Sequence, residues 1–511
     1  MKRISLSILS GLILVLAFPP AGFGFAAWAS VVPLFFAVEG AGKGRGFMLG
    51  FLSGFVFFIG TVYWVINSMY FYGGVPVWIS VFVMLALAAY LSLYVAVFGL
   101  CLSIILERFS GILQIALAPS VWVALEYLRG YLLTGFPWVL LGYSQAYYTP
   151  LVQIADTTGV WGVSFLIISV NTALFLIMRH FLKKDSAFPL RELALALVLL
   201  AATAAYGLVR IGMVDRETPA WKGVTAGVAQ GAIDQGVKWD RSFQKKTLDI
   251  YRELSVKASK AGAGFIVWPE TAVPFYLGAD SANDGAVEAA ARDAGSYVLT
   301  GSPSYSYNLA TGSPSYFNSA YLISPGGAIV GKYDKVHLVP FGEYVPLKRF
   351  LPFVKKLTAG VGDFSEGPGA MPIMYDGGGI GVLICFEAIF PDIARTSVKN
   401  GAGIIVNITN DGWFGRTSAP YQHLEMSVMR AVENKVYLLR SANTGISAVV
   451  DPAGRIMDSI SLFEKGVMVD RVGFRKGPLT FYSMYGDIFA YGCLVFTGIF
   501  IFLAFKDRRY R

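Results

Sequence analysis

Gly379-Ile-Gly-Val-Leu-Ile-Cys385-Phe-Glu387-Ala-Ile-Phe-Pro391 is the stretch on which the fold of this chain turns. Residues 380–384 form a short apolar run opened by glycines, the pattern of a buried strand. The run stops at a thiol, then a carboxylate, then a proline. A thiol at the point where a buried strand gives way to a loop or helix is well placed for a nucleophile. A free cysteine is also an ordinary small core residue, so Cys385 has to be weighed with the rest of the chain.

The 511 residues are 55% hydrophobic and only 15% charged, where a soluble chain carries about 25% charged residues. The apolar excess is uneven, which divides the chain into a membrane part and a soluble part. The net charge of +9 lies in short basic clusters beside apolar runs, as at the flanks of membrane spans. No nucleic-acid-binding motif accompanies it. Of the three cysteines, Cys101 and Cys493 lie inside apolar runs, leaving Cys385 alone in the polar half. A disulfide framework there is excluded, and C-x-x-C metal spacing is absent.

Lys2 and Arg3 open an apolar run over 4–18, and Phe18-Pro-Pro-Ala-Gly makes a poor cleavage site, so the run reads as a retained first span. Further runs cover 25–38, 47–71, 77–106, 112–128, 157–182, 194–209 and 488–505. Several reach the roughly 20 residues a spanning helix needs, and the first two are short. Basic residues cluster at Lys2/Arg3, Lys43/Arg45, Arg108, Arg179/Lys183/Lys184/Arg191 and Lys506/Arg508/Arg509/Arg511. The alternate loops have none. Eight spans with both termini in the cytoplasm satisfy this alternation. It divides the chain into a membrane domain at 1–211, an extracytoplasmic domain at 212–482, and a last span with a basic tail at 483–511.

The neutral loop near 126–150 carries Glu126 and Arg129, spaced to pair on a helix, then Thr134-Gly-Phe-Pro-Trp138. It reads either as an interfacial aromatic anchor or, with Trp138, as a wall of a lipid-access site. In the soluble part, strand-like runs at 224–229, 264–268, 297–301, 319–323, 328–333, 380–384, 403–408, 436–441 and 447–450 alternate with helical stretches at 254–261, 285–294 and 425–434. That is an α/β pattern. Ser324-Pro-Gly-Gly327 and Asp451-Pro-Ala-Gly454 read as hairpin turns, so a mixed sheet is expected.

Three polar residues end otherwise apolar segments. Glu270 follows Phe265-Ile-Val-Trp-Pro269, Lys335 follows Lys332-Tyr-Asp, and Cys385 follows Ile384. Each has a plain alternative as a helix cap, a solvated hairpin charge and a core residue. Together they supply what covalent acyl transfer needs. A carboxylate can serve as base to the thiol, and a fixed cation favours the thiolate and the oxyanion of a tetrahedral intermediate.

Trp268-Pro-Glu270, Lys332-Tyr-Asp-Lys335 and Cys385-Phe-Glu387 resemble the Glu-Lys-Cys signatures of the nitrilase superfamily over about 220–475. That implies an α-β-β-α sandwich. With its membrane part, the whole chain resembles the bacterial apolipoprotein N-acyltransferase family. Further matches include Gln230-Gly231, Lys238-Trp239, His337 to Pro346 and Asn410-Asp-Gly-Trp-Phe-Gly415. The resemblance implies Glu270 as general base, Cys385 as nucleophile and Lys335 as electrostatic stabiliser. Glu343, Glu387 and Trp239 would be supporting residues. Phe386 stands where the family often has tyrosine, and Ala232 where it often has asparagine.

The implied reaction passes an acyl chain from a membrane phospholipid, through a thioester on Cys385, to the α-amino group of a lipoprotein's diacylglyceryl-cysteine. It needs no metal or diffusible cofactor and would be run by a monomer in a bacterial inner membrane, with the catalytic domain on the periplasmic side. A membrane-tethered amidase would use the same triad, and a lipid transporter would need more polar residues within the spans. His337 and His423 would suit a Cys-His enzyme, but the Glu/Lys explanation leaves fewer parts idle. Residues 347–357 mix Phe350 and Phe353 with Lys348, Arg349, Lys355 and Lys356, and Gly360 and Gly362 follow. That composition suits a bent lipid gate at the interface.

Overall fold

The structure, a computed structural model, describes residues 1–183, 187–279, 281–307, 312–344 and 363–506. The expected gate with Phe350 and Phe353 lies outside the described residues. The chain forms two compact units. One is Met1–Ile66, Trp78–Gly212 and Tyr485–Arg511; the other is Asn67–Val77 with Met213–Met484. The segment 67–77, expected as the end of the span at 47–71 and the loop beyond it, thus belongs with the second unit.

The first unit is helical. Among the described residues five helices are long and apolar enough to cross a membrane: Lys43–Val62, Val77–Arg108, Ile112–Thr134, Val160–Lys183 and Leu190–Ala220. Lys2–Leu16 and the shorter apolar stretches Gly24–Val38 and Ile488–Leu503 complete a set consistent with about eight spans. The run expected at 25–38 is not one helix. It breaks between a 3-10 turn at Gly24–Ala29 and the short helix Val32–Val38. Broken backbone at membrane depth has to be satisfied by protein. Asn171 does this, donating from Nδ2 to Ala27 O and accepting from Val31 N, both at 2.9 Å. The Ser10 hydroxyl donates to Ser30 O at 2.8 Å. Gly46, Gly50 and Gly54, spaced by four, let Lys43–Val62 lie against Val77–Arg108. A Cβ at Gly46 would stand 2.7 Å from Gly99 O.

The second unit carries twelve strands among the described residues. They are β1 (Lys222–Gln230), β2 (Phe265–Val267), β3 (Tyr297–Tyr307), β4 (Pro314–Ile323), β5 (Ile329–Asp334), β6 (Ile373–Tyr375), β7 (Gly378–Ile384), β8 (Ala402–Thr409), β9 (Tyr437–Ala442), β10 (Ser447–Val450), β11 (Ile456–Ile460) and β12 (Gly466–Phe474). Two six-stranded sheets result, ordered β12-β1-β2-β3-β4-β5 and β11-β10-β9-β8-β7-β6. In each, three parallel strands (β1–β3 and β7–β9) are flanked by antiparallel ones. Parallel neighbours require crossovers, and helices supply them. Arg241–Lys260 and Ser281–Ala294 serve the first sheet, Pro391–Lys399 and Ala419–Asn434 the second.

Alternation along the strands sorts the side chains into two cores. Ala226, Val228, Phe265, Val267 and Leu299 meet Ile380, Val382, Ile404, Val406 and Leu439 between the sheets. Ile266, Trp268 and Val298 face Leu248, Tyr251, Leu254 and Ala290 of the first two helices. The result is the helix–sheet–sheet–helix sandwich that the resemblance implied. Both expected hairpins form, with Gly327 N donating to Ser324 O and Gly454 N to Asp451 O. Glu270 follows β2 and Cys385 follows β7, each at the carboxyl end of a parallel strand, where such sheets present their ligands.

Candidate active site

Cys385 opens a 3-10 turn at Cys385–Ile389 and has a φ of +51°. A side chain in the left-handed region costs about 1–2 kcal/mol, so surrounding contacts must hold it. His423, on the helix Ala419–Asn434, supplies one. Its Nε2 donates to Cys385 O at 3.1 Å, and its Nδ1 lies 3.0 Å from Asp411 Oδ1. Arg440 Nη2 donates to Asp411 Oδ2 at 2.6 Å. With both ring nitrogens engaged, His423 supports the nucleophile's main chain. The His337 ring lies 3.8 Å from the Phe390 ring, centroid to centroid and tilted by 38°, and burial with the nearby Lys335 charge lowers its pKa to about 4. Burial pushes the Cys385 thiol well up, Glu270 pushes it further, and Lys335 pulls it back.

Glu387 joins two parts of the site. Its Oε2 accepts from Ile384 N at 2.6 Å, at the nucleophile's own turn. Its Oε1 accepts from Tyr333 Oη at 2.9 Å and from Val336 N at 2.7 Å, either side of Lys335. A third contact, from His337 N, is 3.2 Å. Burial raises this carboxyl to about 7 against the pull of those donors and of Lys335.

Lys335 is 1% exposed. Its Nζ lies 3.0 Å from Glu343 Oε1 and 2.9 Å from Oε2, and 4.0 Å from Glu270 Oε1. Burial opposes its charge, yet Glu343 and then Glu270 hold its pKa above the ordinary lysine value. Glu343 Oε2 also accepts from Val339 N at 2.8 Å.

Asn318, on β4, escaped the sequence reading, which began that strand one residue later. Its Nδ2 donates to Glu270 Oε1 and to Glu343 Oε1, both at 2.8 Å, so one amide spaces two carboxylates. A buried asparagine in a strand is unusual and was the available signal. Gly301 admits the Glu270 backbone, because a Cβ there would stand 2.8 Å from Glu270 Cα. Glu270 Oε2 has no hydrogen bond among the described residues.

Lys238 was also missed as a site residue. It is 2% exposed and its Nζ donates to Glu270 O at 2.9 Å. Trp239 beside it is 44% exposed. Trp138 is wholly buried in the helical unit, its ring 4.7 Å from Trp64 and 6.0 Å from Phe136. Glu126 and Arg129 tie the same loop down, to Leu141 N at 2.7 Å and to Trp138 O at 2.8 Å. Among the described residues no group of three or more His, Cys, Asp or Glu side chains is placed to hold a metal ion.

A buried thiol, a carboxylate with an oxygen unbonded among the described residues and a fixed ammonium can form and resolve a covalent acyl intermediate. The family model described as Apolipoprotein N-acyltransferase N-terminal domain matches residues 10–173, and that of Carbon-nitrogen hydrolase matches 225–474. The apolipoprotein N-acyltransferase of Geobacter metallireducens is 43% identical over 98% of this chain and 95% of its own length. That of Bradyrhizobium diazoefficiens is 34% identical over 99% of this chain and 95% of its own length. An amidase structure from Nesterenkonia sp. aligns at 22% identity and a TM-score of 0.38, over 49% of this chain and 90% of that one.

Proposed function

This chain belongs to the apolipoprotein N-acyltransferase family, and from that premise we propose that it moves a fatty acyl chain from a membrane phospholipid to a lipoprotein's N-terminal amine through a thioester on Cys385. The observation that carries the mechanism is the division of partners in the site. Lys335 is bound by both oxygens of Glu343 and stands at 4.0 Å from Glu270, whose Oε2 has no hydrogen bond among the described residues. Glu270 is thereby left to handle protons, and Lys335 to hold charge.

In the first half-reaction Glu270 takes the Cys385 proton as sulfur attacks the ester carbonyl. Lys335 offsets the charge that develops on sulfur and on the carbonyl oxygen. The C–O bond then breaks, Glu270 returns the proton to the departing oxygen, and a lysophospholipid leaves. In the second half-reaction the α-amine of diacylglyceryl-cysteine attacks the thioester. Glu270 accepts a proton from the amine, the C–S bond breaks, and the amide forms with the thiol restored.

We place the catalytic unit on the periplasmic side of a bacterial inner membrane and infer a monomer, since one copy supplies every group named. The basic flanks support this orientation. Arg3 Nη1 donates to Ala37 O at 3.2 Å, and Glu39 pairs with Arg179 at 2.9 Å and Lys183 at 2.7 Å, gathering these basic ends together. Asp487 accepts from Trp161 at 2.7 Å and Tyr131 at 3.1 Å, beside loops free of basic residues.

The test is to supply the purified protein with a phospholipid labelled in its acyl chains and a diacylglyceryl-cysteine peptide. Labelled amide and lysophospholipid are expected. Labelled free fatty acid without amide would contradict transfer and make the enzyme a hydrolase.

A further inference from the structure

The turn between β1 and the helix Arg241–Lys260 is held from several sides. Asn443 brackets Ile233, accepting from its N–H at 3.0 Å and donating to its carbonyl at 2.8 Å. Asn410 Nδ2 donates to Gln235 Oε1 at 2.6 Å, and Gly236 N to Asp234 Oδ1 at 2.7 Å. The turn so fixed sends Lys238 inward while Trp239 stays at the surface. An ammonium has three N–H donors. Among the described residues Lys238 uses one, on Glu270 O at 2.9 Å. Buried donors find acceptors in nearly all folded proteins, and the remaining two have none among the described residues.

The charges of the site point the same way. Lys335 is offset by Glu343, which meets it through both oxygens. Arg440 is offset by Asp411. Glu387 is held by the donors Tyr333 Oη and the Ile384, Val336 and His337 N–H groups. The mobile negative charge is the one that moves from Glu270 to the Cys385 sulfur and on to the acyl oxygen. An uncompensated buried charge is strongly unfavourable. Lys238 lies in the field of Glu270 and Cys385 and has no carboxylate of its own at contact distance among the described residues.

We propose that Lys238 is the second cation of this active site, balancing the charge that passes between Glu270 and Cys385 and donating one of its remaining N–H groups to the carbonyl oxygen of the acyl group. The identity of that acyl group rests on the transfer reaction above; the charge balance does not. Burial lowers the Lys238 pKa to about 8, with Glu270 after β2 and Cys385 after β7 pulling it back up. Asp234 and Asp240 of its own turn are exposed. The second cation is thus present at neutral pH and lost above about pH 8.

Iodoacetamide reports on the thiolate without any lipid. Its rate of alkylation at Cys385, read by peptide mass spectrometry on the full chain in detergent, is compared across pH for wild type, Lys238→Met and Lys238→Arg. In wild type the logarithm of the rate should bend near pH 8 as the ammonium is lost. Lys238→Met should be about tenfold slower at pH 7.5, the size of a one-unit change in thiol pKa, and show no bend. Lys238→Arg should keep the rate at pH 7.5 and rise without a bend to pH 9.5. A wild-type rate and bend in folded Lys238→Met would overturn the proposal, leaving Lys238 as a prop for the Glu270 main chain. If that variant does not fold, a bend retained in Lys238→Arg would overturn it equally. Should these profiles behave as expected while no phospholipid acylates the protein, the donor assignment fails and the second cation stands.

Discussion

Lys335 and Glu343 form a two-pronged ion pair, the lysine Nζ lying 3.0 and 2.9 Å from the two carboxylate oxygens. The pair fixes a positive charge beside the thiol while leaving Glu270 at the longer distance of 4.0 Å. Glu343→Gln should let Lys335 close on Glu270 and block the proton acceptor. Acyl-enzyme formation is expected to fall by roughly 10²-fold or more, the scale of losing a general base. Stopped-flow acylation per folded molecule checks this, and an unchanged rate would deny Glu343 any part.

Asn318 sits between two carboxylates, so the sign of a substitution there is informative. Asn318→Ala removes two hydrogen bonds to charged acceptors, each worth about 1.5–3 kcal/mol in a buried site. Asn318→Asp adds a third carboxylate facing Glu270 and Glu343. Asn318→Asp is therefore expected to unfold at a lower temperature than Asn318→Ala and to acylate more slowly. Equal effects would mean that the electrostatic spacing is immaterial.

Glu387 sets an alkaline limit. Its carboxyl is raised to about 7, with burial raising it and the donors Ile384 N, Val336 N and Tyr333 Oη, together with Lys335, lowering it. A carboxyl so raised binds its proton more tightly in the folded site than in the unfolded chain. The sign follows: the stability it contributes is present below the ordinary carboxyl range and is lost as pH rises through about 7. The unfolding temperature of wild type should fall as pH rises to about 7, while Glu387→Gln should lack that decline. A decline with the same midpoint in Glu387→Gln would place its origin elsewhere.

Much of the site was legible because its strands announce themselves. The apolar runs at 264–268 and 380–384 each end at a reactive residue, and the chemistry of Glu270, Lys335 and Cys385 selects a small set of reactions. What escaped reading depends on contacts distant in sequence. Asn318 and Lys238 act through Glu270, from positions that no periodicity marks. β12 (Gly466–Phe474) lies more than 230 residues after its partner β1, and Asp470 and Arg471 interrupt its apolar pattern. β6 has three residues, too few for any periodicity to show. In the helical unit, the break at 25–38 is set by Asn171, a residue in another helix.

Orientation in the membrane is tested by reporter fusions. Fusions after Arg45 and Arg108 should report the cytoplasm, and fusions near Gly73, Tyr143 and Asp240 the opposite side. A cytoplasmic result at Asp240 would remove the basis for reaction with exported lipoproteins.

The central claim is a covalent acyl group on one sulfur. The full chain is incubated with phospholipid vesicles in the absence of any amine acceptor, then digested and analysed by mass spectrometry, with and without hydroxylamine. The peptide containing Cys385 should gain the mass of one fatty acyl chain. Hydroxylamine should remove it, Cys385→Ala should never carry it, and adding a diacylglyceryl-cysteine peptide should discharge it as amide. Turnover of Cys385→Ala at a near-normal rate, or amide formed with Cys385 unmodified at every time point, would contradict the mechanism.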